Sequence, residues 1–373
     1  MQILPGSTIG ILGDNTKNAP LIREAHKMGF NIALFTENKY ENYRTEADYW
    51  FMQAAQWDDF VGLSTVIIYN QNWLSFEIMD RLSKIEMLQG TTLLELTSDA
   101  TLLRGLFEEN AINILPYQLA STLDEVALVA SSLSYPVQVK SIFKTGQNSQ
   151  AIILMGSWDL GLVAPLIDGG QLIVETWVAD AKQVSLPLVI DQDGHHVSYP
   201  LLETTMQQGG QQTAAGIRLE AELEQALYET ADEILQAIQY VGALTVNFLV
   251  TAENNLYVQD IITGIYPAQS LSEVGENPNI ALQMLRVISG QALMPVDRNT
   301  KYKVLARNLE PKHLPRLYTQ WGIRENWTLT LYSNTDLNGH AGKVVTIGED
   351  WDKLQTQFDV SGIWLDDEEM NTK

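Results

Sequence analysis

Two apolar runs near the middle of the chain, LTVNFLV (244–250) and LYVQDII (256–262), flank the polar turn TAENN. Each carries polar groups that a buried strand does not want: Asn247 in the first, Gln259 and Asp260 in the second. With the turn centred between Glu253 and Asn254, Asn247 faces Asp260 and Leu249 faces Val258. Directly opposed residues share a face, with Cβ atoms about 5 Å apart. Gln259 then points the other way. An oxygen-rich pair on neighbouring strands can hold magnesium against a nucleotide triphosphate, because magnesium takes hard anionic oxygens and keeps positions open for phosphate. A solvent-facing Asn–Asp pair is the plainer alternative, and the two runs by themselves leave both readings open.

The elements around this pair read as α/β. STIGILG (7–13) is an apolar run ending in glycine, PLIREAHKMGF (20–30) has helical spacing, and FNIALFTE (30–37) is a second strand. Strand, helix and strand in that order open a parallel sheet. VGLSTVIIYN and TTLLELTS read as further buried strands with FEIMDRLSKIEML helical between them, so residues 1–97 form one α/β domain. Ser98 and Asp99 are N-caps for the next helix. A capped helix from Ser121, the strand VQVK, the strands AIILMGS and QLIVETWV, and a hairpin turning at Asp193-Gly194 follow. RLEAELEQALYETADEILQAIQYVG reads as one long amphipathic helix ending at Gly242, and IALQMLRVISG as another helix. The short strands KYKVLARNL, WTLTLYS and KVVTIG close the chain, before the solvated tail DDEEMNTK.

Composition narrows the function classes. The chain has 373 residues, 45% hydrophobic and 18% charged, enough for two or three packed domains. A net charge of −23 repels phosphate backbones and anionic lipid, so neither nucleic acid nor membrane is an expected partner. There is no cysteine, which removes disulfides, thiolate catalysis and thiolate metal sites. No secretory leader is read at MQILPGSTIGILG, and no stretch approaches the roughly 18 apolar residues of a membrane span. A cytoplasmic location is the expectation. His195-His196 and His26 read as exposed or half-buried histidines, and no nucleophile elbow, P-loop, H-E-x-x-H or EF-hand pattern occurs.

The order SYPVQVK, QLIVETWV, KQVSLPLV, SYPLLE, YVGALTVNFLVT, LYVQDI and KVVTIG resembles the ATP-grasp superfamily, specifically its 5-(carboxyamino)imidazole ribonucleotide synthases, over nearly the whole chain. That family uses ATP and bicarbonate to carboxylate the amino group of aminoimidazole ribonucleotide in purine biosynthesis. The resemblance implies an ATP-grasp fold, α/β and in part α+β. It comprises a Rossmann-like N-terminal domain (1–97), an ATP-grasp domain (98–296) with a lid at about 116–178, and a small β-rich C-terminal domain (297–373). It also implies a homodimer, with ATP and magnesium as cofactors.

Residue by residue, the resemblance puts Lys140 on the ATP phosphates, Glu175, Thr176, Trp177 and Val178 at the adenine hinge, and Gln183 where the family has a ribose-binding glutamate. The family's metal-binding glutamate is Asn247, and its Asn-Glu pair is Gln259-Asp260, so Asn247 and Asp260 form a weakened magnesium site. The family's arginine before the lid is Ala100, with Arg104 nearby. The glycine-rich lid is reduced to IFKTGQNSQ (142–150), the phosphate-cradling turn reads GDNTKNAP (13–20), the substrate loop TGIYPAQS (263–270) carries no positive charge, and the basic C-terminal motif reads GHAGK (339–343). Three functions follow as expectations: an ATP-dependent synthase, a non-catalytic relative that binds a nucleotide or a partner, and a ligase with a different acid substrate.

Overall fold

The computed structural model describes residues 2–13, 15–37, 46–143, 151–207, 210–266, 268–275, 277–299, 301–324, 326–332, 335 and 339–365. Three sheets carry the architecture. The first is parallel, in the order β3-β2-β1-β4, from β1 (Thr8–Leu12), β2 (Asn31–Phe35), β3 (Tyr49–Phe51) and β4 (Val66–Tyr69). The second is antiparallel, in the order β5-β8-β6-β7, from β5 (Tyr117–Ala120), β6 (Val137–Ser141), β7 (Ile152–Leu154) and β8 (Leu172–Thr176). The third is the large antiparallel sheet. It contains β9 (Lys182–Ile190), β10 (His196–Ser198), β11 (Leu202–Gln207), β12 (Gly210–Ala215), β13 (Gly242–Val250), β14 (Leu256–Thr263), β15 (Lys303–Leu309), β16 (Trp327–Leu331) and β17 (Gly342–Gly348). Its order is β14-β13-β9-β11-β12-β15-β17-β16, with β10 also on β9.

Strand parity builds the cores. Val184, Leu186, Leu188 and Ile190 of β9 and Leu244, Val246, Phe248 and Val250 of β13 face one core, shared with Leu12, Tyr69 and Leu82. Val189 and Ala243, on the other face, join Leu21, Ile22, Ile280 and Met284 in a second core. Both cores therefore run from the N-terminal sheet into the large one. The second sheet packs a small core of its own around Val126, Val139, Leu154 and Val174. A fourth core, with Leu305, Leu309, Val344 and Phe358, lies under the C-terminal helix Trp351–Asp359.

Two expectations about elements change, and one strand was not expected. TTLLELTS is not a strand but the helix Thr92–Ser98: Leu93, Leu94 and Thr97 are buried on one helical stripe, and Thr97 Oγ1 and Ser98 Oγ donate back to the Leu94 carbonyl. A short apolar run has no period that separates the two forms. The long helix ends at Ala237, not Gly242, because Ile238 and Tyr240 turn into the core and the Tyr240 hydroxyl donates to the Ala243 carbonyl. Finally, GQQTAA forms β12, a strand without apolar alternation, held between β11 and β15 by its ladders. The tail 366–373 lies outside the described residues.

One junction ties the first sheet to the third. Asn70, just past β4, accepts from the Ile265 amide through Oδ1 (2.8 Å) and donates from Nδ2 to Asn18 Oδ1 (2.8 Å). Gly264 stands against it with φ +95°, and a Cβ there would lie 2.3 Å from Asn70 Oδ1. Gly264→Ala combines a left-handed backbone with that clash, so it is expected to lower stability by about 2–4 kcal/mol in urea unfolding. A loss below about 0.5 kcal/mol, the level of an ordinary surface substitution, would mean that the junction yields.

Candidate functional site

The hairpin of β13 and β14 places the polar pair. Asn247 is directly opposite Asp260, as the turn position predicts. The register then slips, so that Phe248 faces Val258 and Leu249 faces Tyr257 rather than Val258. Gln259 is the extra residue of a β-bulge. Val258 and Ile261 sit three residues apart yet both belong to the core of Val246 and Phe248. A strand alternating every two residues cannot deliver both to one face without an inserted residue. The bulge lets Gln259 and Asp260 both stay half-buried outside that core, so Gln259 does not turn into it as simple alternation implies.

On the other side of Asn247 lies Ser185 of β9, in direct register. The Ser185 hydroxyl donates to Asn247 Oδ1 (2.6 Å), and Asn247 Nδ2 donates to Asp260 Oδ1 (2.6 Å). The row crosses three strands. Its amide presents a hydrogen-bond donor to the carboxylate, which holds the two together without a cation. Two carboxylates in these positions would repel each other and draw a metal between them. The residues present therefore do not fit a two-carboxylate magnesium site. Gln183, two residues before Ser185, shares its face and is paired with Leu249 and Thr204.

The second polar cluster gathers on the small sheet. Glu175 of β8 is 3% exposed and forms ion pairs with Lys140 of β6 and with Arg104 of the helix Ala100–Glu109. Arg104 also stacks over the Tyr117 ring at 5.1 Å. Burial pushes the Glu175 carboxyl up, but Lys140 and then Arg104 outweigh it, and the group is held below its ordinary value. The hinge that follows is strapped down by its backbone: Thr176 N–H donates to the Pro116 carbonyl (3.0 Å), Trp177 N–H to that of Pro136 (3.1 Å), and the Val178 carbonyl accepts from Ala181 (3.3 Å). Val178 leads within five residues to Gln183, so one continuous segment joins the two clusters.

The N-terminal turn is filled rather than open. A Cβ on Gly13 would lie 2.7 Å from Asn18 Nδ2 and 3.2 Å from Gln71 Oε1, so these side chains occupy the space before the turn. Thr263 Oγ1 donates to the Gln71 carbonyl (2.7 Å), and Lys17 lies over the Tyr266 ring at 5.4 Å. In the C-terminal motif, Lys343 is buried on β17 opposite Asn308 and Thr330. Asp14, Pro267 and the lid loop 144–150 lie outside the described residues.

Sequence reasoning missed one participant and left another without its partner. Ser185 was readable as the lone hydroxyl in the apolar strand KQVSLPLV. Arg104 was noticed, but its union with Glu175 depends on a helix packing against a sheet 71 positions away. Asp191, Asp193 and His195 also gather within ligand distance of one another. There the Asp191 carboxylate caps its own turn, accepting from the Asp193 and His195 amides (2.9 Å each).

The triad yields a stability prediction. Removing the anion leaves two cations facing one buried site, so Glu175→Gln is expected to destabilise by on the order of 3 kcal/mol at pH 7. A lowered carboxyl value contributes stability that is complete above the ordinary value of 4.5 and is lost as pH falls through the native value. The gap between wild type and variant in urea unfolding should therefore be constant above about pH 5 and close in acid. A gap that persists unchanged at pH 2 would assign the loss to packing.

The ATP-grasp domain family matches residues 105–263. N5-carboxyaminoimidazole ribonucleotide synthase of Staphylococcus saprophyticus is 25% identical over 373 residues, covering 95% of this chain and 97% of that protein. Among solved structures, N5-carboxyaminoimidazole synthetase of Staphylococcus aureus complexed with ADP superposes with a TM-score of 0.86 at 20% identity, over 98% of each chain. N5-carboxyaminoimidazole synthase of Aspergillus clavatus, in complex with ADP and 5-aminoimidazole ribonucleotide, gives 0.80 at 14% identity, over 96% of this chain and 98% of that one. Residues 105–263 match the ATP-grasp domain, and along nearly its whole length the chain is similar to N5-carboxyaminoimidazole ribonucleotide synthases.

Proposed function

We propose that this chain is an adenine-nucleotide-binding protein built on the scaffold of the N5-carboxyaminoimidazole ribonucleotide synthases, one that holds ATP or ADP without magnesium and does not carboxylate aminoimidazole ribonucleotide at an enzyme's rate. The observation that carries this reading is the row Ser185–Asn247–Asp260, in which an amide bridges where a second carboxylate would be needed. In this reading Glu175 and the backbone of Thr176, Trp177 and Val178 meet the base, Lys140 meets the phosphates, and Gln183 meets the ribose. Asn247, Gln259 and Asp260 are the remnant of a metal site. The filled turn at Gly13 supports the loss of ribonucleotide binding. We place the domain divisions at 97 and 296, and we take a homodimer, as the family resemblance implies, in the cytoplasm as the protein's setting. No helix among the described residues is long and apolar enough to cross a membrane.

A second reading, an active synthase, is favoured by Asp260, Lys140 and Glu175, which keep the charges that ATP and one magnesium require. Calorimetry of ATP binding separates the two. Wild-type affinity should be the same, within about twofold, in magnesium and in chelator. Asn247→Glu with Gln259→Asn and Asp260→Glu should make binding magnesium-dependent and tighter by about tenfold to hundredfold, the size of one charge-assisted ligand. Lys140→Ala in that background should remove much of the gain. Magnesium-dependent binding by the wild type, with ADP release from aminoimidazole ribonucleotide and bicarbonate near 1 per second, would establish the second reading instead.

A further inference from the structure

The two edges of the large sheet are treated differently. At the β14 edge, Val258 N–H donates to the Asn113 carbonyl (2.8 Å) and Asn113 Nδ2 donates to the Leu256 carbonyl (2.7 Å), so a neighbouring segment occupies the open side. β16 is the other edge. Among the described residues no strand pairs with its outer side, and no hydrogen bond from beyond the β17 ladder reaches the backbone of 328–331. Strand edges are ordinarily blunted by lysine, proline, a bulge or a covering segment. The β16 sequence WTLTL has no charged residue and no proline, and its register with β17 is unbroken from Trp327 to Leu331.

Parity divides this strand. Trp327 and Leu329 pack on the C-terminal core, and Leu331 follows on the same side but is exposed. Thr328 and Thr330 face away. The helix Leu314–Gln320 lies on the same core through Leu314 and Leu317. It and the turn after it leave Tyr318 and Trp321 57% exposed and Ile323 67% exposed, with the two rings 6.4 Å apart. Arg324 stacks over the Trp327 ring at 5.2 Å, and Trp327 N–H donates to the Arg324 carbonyl (3.3 Å), so this apolar cluster adjoins the first end of β16.

Symmetry and charge select what covers the edge. When β16 pairs antiparallel with its own copy about a twofold axis at Leu329, Leu329 stands opposite itself, Thr328 opposite the copy's Thr330, and Trp327 opposite the copy's Leu331. That register continues one apolar core face into the other. It also carries the exposed Leu331 to the end of the copy's strand where Trp321 and Ile323 stand. Two chains of net charge −23 repel each other over most of their surface. Residues 311–331 run against that balance, with Lys312, Arg316 and Arg324 against a single acid, Glu325, so this face meets the acidic field of a second copy with the opposite sign. Two aromatic side chains of about 150–250 Å² each, little more than half exposed, fall short of the roughly 800 Å² per partner of a stable dimer, so the strand edge has to be part of the contact.

We propose that β16 is the dimer interface of this chain: two copies pair edge to edge, antiparallel about Leu329, with Tyr318, Trp321 and Ile323 flanking the join. This rests on the homodimer taken above, for which it supplies the surface, and is independent of the nucleotide reading.

The test is sedimentation velocity on the intact chain, with thermal unfolding to show that each variant is folded. The wild type should be a dimer with a Kd of about 1 μM or tighter, as interfaces of standard size reach. Thr328→Lys with Thr330→Lys sets like charges opposite each other on both sides of the axis and should weaken the dimer at least about tenfold. Thr328→Lys with Thr330→Glu sets opposite charges there and should restore it. Trp321→Ser with Ile323→Ser leaves the strand untouched, should also weaken the dimer about tenfold, and keeps the test decisive if the strand variants fail to fold. A wild type that is monomeric at about 100 μM, a hundredfold above that Kd, overturns both this interface and the homodimer itself. A dimer that the lysine pair or the flanking pair leaves unchanged overturns the interface alone. Equal weakening by the Lys–Lys and Lys–Glu variants overturns it too, because the effect then follows the loss of threonine and not the pairing.

Discussion

The strand β13 is the constraint on which the rest depends. It is laddered to β9 along all nine of its residues and to β14 on its other side, so its alternation cannot be changed locally. Four side chains, Leu244, Val246, Phe248 and Val250, are committed to one core and are at most 3% exposed. Each buried side chain of this kind contributes about 1.5–3 kcal/mol, against about 1 kcal/mol for a single hydrogen bond. The apolar face therefore sets the register, and Asn247 has to be satisfied wherever parity leaves it. Ser185 and Asp260 provide that satisfaction. A one-residue slip would turn the core face outward, so the polar row is held in place by packing that none of its members takes part in.

The same argument explains the bulge. β14 must send both Val258 and Ile261 into that core, and the inserted Gln259 is what reconciles them with the pairing of Asn247 and Asp260. The polar site is thus a by-product of apolar requirements on two strands. Such a scaffold persists when its ligand chemistry changes, because the residues that hold the geometry are not those that would touch a ligand.

Electrostatics work at two ranges. The chain as a whole is strongly acidic, with a net charge of −23. Around Glu175 the sign reverses: Arg104 and Lys140 against one carboxylate leave a local charge of +1. Both cations are engaged with Glu175, so a phosphate chain would compete for Lys140 with a group that is almost fully buried beside it. At the N-terminal turn the groups packed against Gly13 are the neutral amides of Asn18 and Gln71.

Much of this was legible in the chain itself. Apolar runs marked β9, β13 and β14, the turn TAENN set Asn247 opposite Asp260, and the residue types at the positions that the resemblance matches were visible directly. Those features are local: period, turn chemistry and charge belong to a few neighbouring residues. The helix at Thr92–Ser98, the early end of the helix at Ala237 and the strand Gly210–Ala215 were not legible, because partners from elsewhere in the chain chose among conformations of similar local cost. Tertiary structure alone decided the bulge at Gln259, the hydrogen bond from Ser185, and the capture of Glu175 between Arg104 and Lys140. The bulge lies within a local hairpin but answers to the core beneath it; the other two join residues far apart in sequence, which only the packing of the sheets brings within reach.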